Sequence, residues 1–160
     1  MASNTTPNDR FQTLLAEFCA SVQMPMNEQA LGIEFQADGH TVLIAPDPRD
    51  AQRMLIEVSI VHLQEPSPQL LMALHHLNHE ARLEHDWVVS LDVGDQLCLH
   101  AQRDIHTCRA SDLQTILAEG IDRAQALQRL CELMAAPTIA QADAPSAQPS
   151  LHAAMMMIRG

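Results

Sequence analysis

The sequence contains no lysine, so its nine basic residues are all arginines, and they are outnumbered by twenty carboxylates. The formal net charge is -11 at pH 7. Nucleic acids and anionic membrane surfaces are bound through basic patches, which a chain of this composition has little means to build. We therefore expect neither a nucleic-acid partner nor a membrane-surface partner.

Long apolar runs are also missing. No stretch approaches the roughly 20 apolar residues of a membrane-spanning helix, and no basic segment followed by an apolar one opens the chain. We expect a cytoplasmic bacterial protein without membrane insertion. None of the cysteines forms a CxxC pair, and all lie in or beside apolar runs, which favours buried free thiols in a reducing compartment. They are Cys19, Cys98, Cys108 and Cys131.

Signatures of catalysis are absent as well. The five glycines form no phosphate-binding loop. No serine stands in a nucleophile motif, and the aspartates at 92, 95 and 104 lie at predicted turns, where aspartate is favoured for its own sake. We expect no catalytic residue, no cofactor and no enzymatic activity.

One histidine-rich segment, residues 71–87, has the spacing of a metal site. His75 and His79 are four positions apart and would be neighbours on a helix, as are the zinc-binding histidines of metalloproteases. The HExxH order is absent, however, and His85 is poorly placed as a third ligand. We expect no metal, and incidental binding by His75 and His79 stays open as an alternative.

Apolar periodicity predicts the order α-β-β-β-α-β-β-α. Thr6 followed by proline is typical of a helix start, and Asp38-Gly39 between two alternating apolar runs is typical of a hairpin. We expect an α+β fold in which helices flank an antiparallel twisted sheet, formed by residues 1–134. Residues 135–160 are rich in Ala, Pro, Ser and Gln, which is typical of a disordered tail.

Several segments in this order resemble the class I chaperones of bacterial type III secretion (the Tir-chaperone, or CesT-like, family). They are LLAEFCASVQMP, LGIEFQADGHTVLI, MLIEVSIVHL, LLMALHHLNH and WVVSLDVGDQLCLHAQ. Each is a loose apolar pattern, so their order, spacing and shared acidity carry the resemblance, over residues 9–134. Residues 84–86, Glu-His-Asp, stand where family members often have glycine. The longer chain, the arginine bias and the extra tail resemble the general multi-effector (HpaB-type) chaperones of plant pathogens.

The resemblance implies a homodimer that works without ATP. Such a chaperone holds the N-terminal segments of effector proteins in an extended form, keeps them competent for secretion and presents them to the secretion apparatus, often through its ATPase. In the family, effectors lie on the first helix and the first three strands. The corresponding apolar residues of this sequence are Leu14, Phe18, Leu31, Ile33, Phe35, Leu43 and Leu55.

The second helix carries two uncharged stripes. Leu70, Leu74 and their neighbours form the predicted core side. The opposite side has no formal charge at pH 7, which is unusual for a solvent-facing helix and favours a second buried contact. Since the second helix lies at the dimer interface in the family, we expect that side to be the subunit contact, through Met72, His76, His79 and Leu83. The alternative functions are a stand-alone regulatory or stress protein of the same fold, or a His-rich metal-binding protein.

Overall fold

The computed structural model describes residues 6–27, 31–84, 87–92 and 94–135, without the side chains of residues 80–84 and 135. The predicted tail therefore lies, from residue 136 onward, outside the described residues. Within these residues, three helices and five strands occur in the predicted order. They are α1 (Pro7–Ser21), β1 (Ile33–Ala37), β2 (His40–Pro46), β3 (Arg53–His62), α2 (Pro68–Glu84), β4 (Val88–Leu91), β5 (Gln96–Asp104) and α3 (Ala110–Ala135).

Helix α1 begins at a complete capping box. The Thr6 hydroxyl accepts from the Asp9 backbone N–H, and the Asp9 carboxylate accepts from the Thr6 N–H, each at 3.2 Å. Pro7 occupies the first helical position, where no backbone donor is needed. One face of the helix is buried, and it carries Phe11, Leu14, Leu15, Phe18 and Cys19.

All five strands form one antiparallel sheet in the order β1-β2-β3-β5-β4, which confirms the predicted α+β class. Strands β1 and β2 are joined by a two-residue turn in which Asp38 (φ 49°) and Gly39 (φ 86°) both have positive φ. That conformation fits the right-handed twist of a hairpin. The register of β3 against β5 shifts between Ser59 and Val61.

The two faces of the sheet differ in burial. Most residues of one face, here called the inner face, are buried and form one core with α1 and α3. Residues of the other face, here called the outer face, are mostly half-buried. The inner face includes Val42, Ile44, Ile56, Val58 and Leu99, and the outer face includes Leu43, Leu55, Glu57, Val88 and His100.

Trp87, directly before β4, is buried against α3. A Cβ atom added to Gly120 would lie 2.5 Å from Cη2 and Cζ2 of the indole, so only glycine leaves room for this ring. The contact fixes the start of β4 on the helix layer. Within the described residues, no helix is long and apolar enough to cross a membrane.

Candidate functional site

Strand β1 is an edge of the sheet, and among the described residues no strand pairs with its outer side. The two-residue turn makes Ala37 and His40 the first hydrogen-bonded pair of the hairpin. Since hydrogen-bonded and non-hydrogen-bonded pairs alternate, Glu34 and Gln36 direct their N–H and C=O groups away from β2. An extended segment of another protein can bond to such groups.

Exposed and half-buried apolar side chains lie in β1 and in the segment of chain that leads from α1 to it, and we call them the α1–β1 rim. Leu31 is the most exposed, at 76%. Phe35 is half-buried, and its ring lies 6.2 Å from that of Phe18 at an interplanar angle of 40°. The full rim consists of Val22, Met24, Met26, Leu31 and Phe35.

The rim includes three residues that the sequence did not mark as candidates, Val22, Met24 and Met26. A usable signal was present: the two methionines flank a proline just after the first helix. Methionine side chains are flexible and polarisable, and they recur on surfaces that accept varied apolar partners.

Three of the seven predicted effector-binding residues have little or no exposed surface in the single chain. Leu14 is fully buried, and Phe18 and Ile33 are only 2% and 8% exposed. Their assignment to effector binding follows from the family resemblance and stays a prediction, because apolar periodicity marks a buried face without saying what buries it. In the single chain, the core beneath the sheet covers these three side chains.

Leu43 and Leu55 lie on the outer face, away from Phe35, whose strand partner Val42 belongs to the inner face. Leu43 stands opposite Glu57, and Leu55 stands opposite Ala45. The predicted residues therefore form two separate surfaces, one at the α1–β1 rim and one on the outer face.

The middle of the outer face carries a row of polar side chains around His100. Its Nε2 lies 2.5 Å from the Ser90 hydroxyl, and its Nδ1 lies 3.4 Å from the Glu57 carboxylate. The Cys98 Sγ lies 4.0 Å from the Ser59 hydroxyl. Burial, and then the charge of Glu57, raise the pKa of the Cys98 thiol to about 11, so this cysteine stays protonated at neutral pH.

The serine–histidine–glutamate order invites comparison with hydrolases, but the backbone does not support that chemistry. Acyl transfer needs free N–H donors that stabilise an oxyanion. The Val89 N–H points away from β5 and bonds to Asn78, so by alternation the N–H of Ser90 points into the sheet, towards Cys98. The Ser90 N–H is therefore not free to act as an oxyanion donor.

The stripe of α2 predicted as a subunit contact is exposed in the single chain. Met72 is 54% exposed, and His76 and His79 are also exposed. Leu71 and His75 lie on the same side and extend the stripe, while the side chain of Leu83 lies outside the described residues. No charged residue occurs from position 70 to position 79.

The described part of the chain holds no group of three or more His, Cys, Asp or Glu side chains arranged to bind a metal ion.

Two of the aspartates predicted at turns, Asp92 and Asp104, accept hydrogen bonds from backbone N–H groups of the same turn. The Asp104 carboxylate accepts from the backbone N–H groups of His106 and Thr107, and these bonds lower the pKa of Asp104. The Asp92 carboxylate accepts from the N–H groups of Gly94 and Gln96.

Comparison with protein families gives a match over most of the chain. The sequence profile of the Tir chaperone protein (CesT) family matches residues 13–128. The chain belongs to this family. No curated protein sequence matches it significantly.

Solved structures of this fold superpose on most of this chain. The ExsC–ExsE complex matches with a TM-score of 0.66 and 21% identity, over 78% of this chain and 95% of that chain. The HopA1–SchA chaperone–effector complex gives 0.65 and 15%, over 76% and 95%. The Yersinia pestis type III secretion chaperone SycH, in complex with a fragment of YscM2, gives 0.60 and 20%, over 73% and 98%. These likenesses show the fold.

Proposed function

We propose that this protein is a type III secretion chaperone that binds the N-terminal segments of effector proteins in an extended form and keeps them competent for secretion. The observation that carries the proposal is the family match over residues 13–128, in a chain with an open strand edge beside an apolar rim. Matched complexes named for chaperone–effector pairs support the same class of partner.

The α1–β1 rim and the β1 edge together supply two kinds of contact to an extended client. The outward backbone groups of Glu34 and Gln36 bond to the client main chain, which gives affinity without requiring one client sequence. Leu31, Phe35 and the two rim methionines bury client side chains, at roughly 25 cal/mol per Å² of apolar surface. A chaperone with several clients needs this tolerance.

The exposed, uncharged stripe of α2 supports a homodimer. A helix side with Leu71, Met72 and three histidines in place of Glu, Lys or Arg gains more from burial against a second copy than from solvation. We place Met72, His76 and His79 in this contact, together with Leu83 by its position in the helix.

Delivery completes the proposed role. The chaperone acts in the bacterial cytoplasm, uses no ATP of its own and hands the client to the export apparatus or its ATPase. The chain's charge of -11 makes basic surfaces the favoured docking partners for this step.

Substitution at the rim tests client binding. The chain is co-expressed with the N-terminal segment of an effector from the same organism, and the pair is captured through a tag on the effector. We expect Leu31→Glu to reduce capture at least tenfold while circular dichroism and melting stay at parent values, because Leu31 is 76% exposed.

The matched control is Leu133→Glu, a leucine of comparable exposure, 70%, on α3. It should leave capture unchanged. Full capture by the Leu31→Glu variant would contradict the placement of clients at this rim.

A further inference from the structure

The opposite edge of the sheet, strand β4, is occupied by one side chain of α2. The Asn78 amide nitrogen donates to the Val89 carbonyl oxygen at 2.7 Å, and the Val89 N–H donates to the Asn78 amide oxygen at 2.7 Å. Only one orientation of the amide satisfies both bonds, since the flipped one would face donor against donor. We call this pair of bonds the Asn78 clasp.

The clasp reproduces the pairing of a neighbouring strand. Val89 pairs with Leu99 of β5, yet its own N–H and C=O point to the other side, where the next strand of a sheet would lie. β4 spans only Val88–Leu91, and by the same alternation Val89 and Leu91 are its outward-facing residues. Asn78 takes the donor and acceptor of Val89, which interrupts the ladder that an added strand would form, and α2 packs along the same strand.

We infer that Asn78 is a specificity-determining residue that closes the β4 edge, so that an extended client adds to the sheet at β1 and not at β4. The inference rests on the proposed function and concerns which edge is available. Glu34 and Gln36 keep their outward backbone groups free of partners among the described residues, whereas Val89 does not. If both edges of the sheet were open, a second strand from a client or from another copy could add at β4.

Amide hydrogen exchange of the full-length, ¹⁵N-labelled protein tests the clasp directly. In the parent we expect the Val89 N–H to be protected and those of Glu34 and Gln36 to exchange faster. In Asn78→Leu the Val89 N–H should exchange about 5- to 30-fold faster, the factor that corresponds to one or two lost net hydrogen bonds. Parent exchange at Val89 as fast as at Glu34 would overturn the proposal.

Two further variants separate this effect from general loosening. Asn78→Asp keeps an oxygen that accepts from the Val89 N–H but loses the donor to the Val89 carbonyl, so a smaller increase in exchange is expected, and this variant serves if Asn78→Leu fails to fold. Thr115→Leu places the same side chain at an exposed position of α3 and should leave Val89 unchanged. An equal increase with Thr115→Leu would overturn the assignment.

A peptide footprint then tests which edge is open. The probe is a synthetic peptide of residues 96–104 carrying Cys98→Ser, the sequence that pairs with β4 inside the sheet. With the parent we expect new protection at Glu34 and Gln36 only, and with Asn78→Leu protection at Val89 as well. Protection of Val89 in the parent, or none there in Asn78→Leu, would overturn the closing role. Loss of the β1 footprint alone would instead contradict the β1 part of the proposed function.

Discussion

Replacing Gly120 by alanine tests the packing of Trp87 that fixes β4 on the helix layer. The new methyl group would lie 2.5 Å from two ring atoms of Trp87, well inside van der Waals contact. Such overpacking costs about 1–3 kcal/mol. Alanine recovers about 1 kcal/mol of helix propensity. We therefore expect Gly120→Ala to lower the free energy of unfolding by about 1 kcal/mol, and the melting temperature by about 4 °C.

The assay is urea unfolding followed by circular dichroism. Tryptophan fluorescence cannot serve, because Trp87 is the only tryptophan and is replaced in one of the variants compared. In a Trp87→Leu background the clash is absent, so Gly120→Ala should become neutral or stabilising. Ala118→Gly, at an exposed position of α3, measures the propensity contribution alone. If Gly120→Ala has the same effect with and without the indole, the packing argument is refuted.

Further predictions concern the thiols, the subunit contact and a turn. All four cysteines are free and buried, so a disulfide-exchange reagent at pH 8 should find almost no fast-reacting thiol in the native protein and four after denaturation, and one fast thiol would contradict this. Met72→Glu should convert the proposed dimer to a folded monomer in light scattering, while Thr115→Glu should not; a dimeric Met72→Glu would place the contact elsewhere. The lowered pKa of Asp104 means that its stabilisation is present above the unfolded value of about 4 and is lost as pH falls through the folded value. Asp104→Ala should therefore lower the free energy of unfolding at pH 7 and have little effect on it at pH 2. An equally large loss of stability at pH 2 would contradict a stabilising role for the ionised Asp104 carboxylate.

The element order was predictable because each element satisfies its own local rule. Thr6 and Pro7 begin α1 with a cap and a preset φ, and Asp38-Gly39 supplies the two positive φ angles that the hairpin requires. These signals depend on neighbours in sequence, so a single chain is enough to see them.

The candidate site was predictable only in part, because its residues are defined by what covers them. Phe18 and Phe35 follow equally good apolar patterns, yet one is 2% exposed and the other lies half-buried at the rim. Asn78 gave no signal at all: its role depends on Val89, which the fold brings within hydrogen-bond reach of it. Such pairings are set by packing, which periodicity does not reveal.

The most direct test of the central claim is a photo-crosslink from the rim. A photoreactive amino acid replaces Leu31 in cells that assemble an active secretion system, and the crosslinked peptides are identified by mass spectrometry. We predict that they come from the N-terminal segments of exported effectors, and that Phe35→Glu, in the same crosslinking chain, removes them. Crosslinks confined to folded effector domains or to unrelated cytoplasmic proteins, unchanged by Phe35→Glu, would contradict the account.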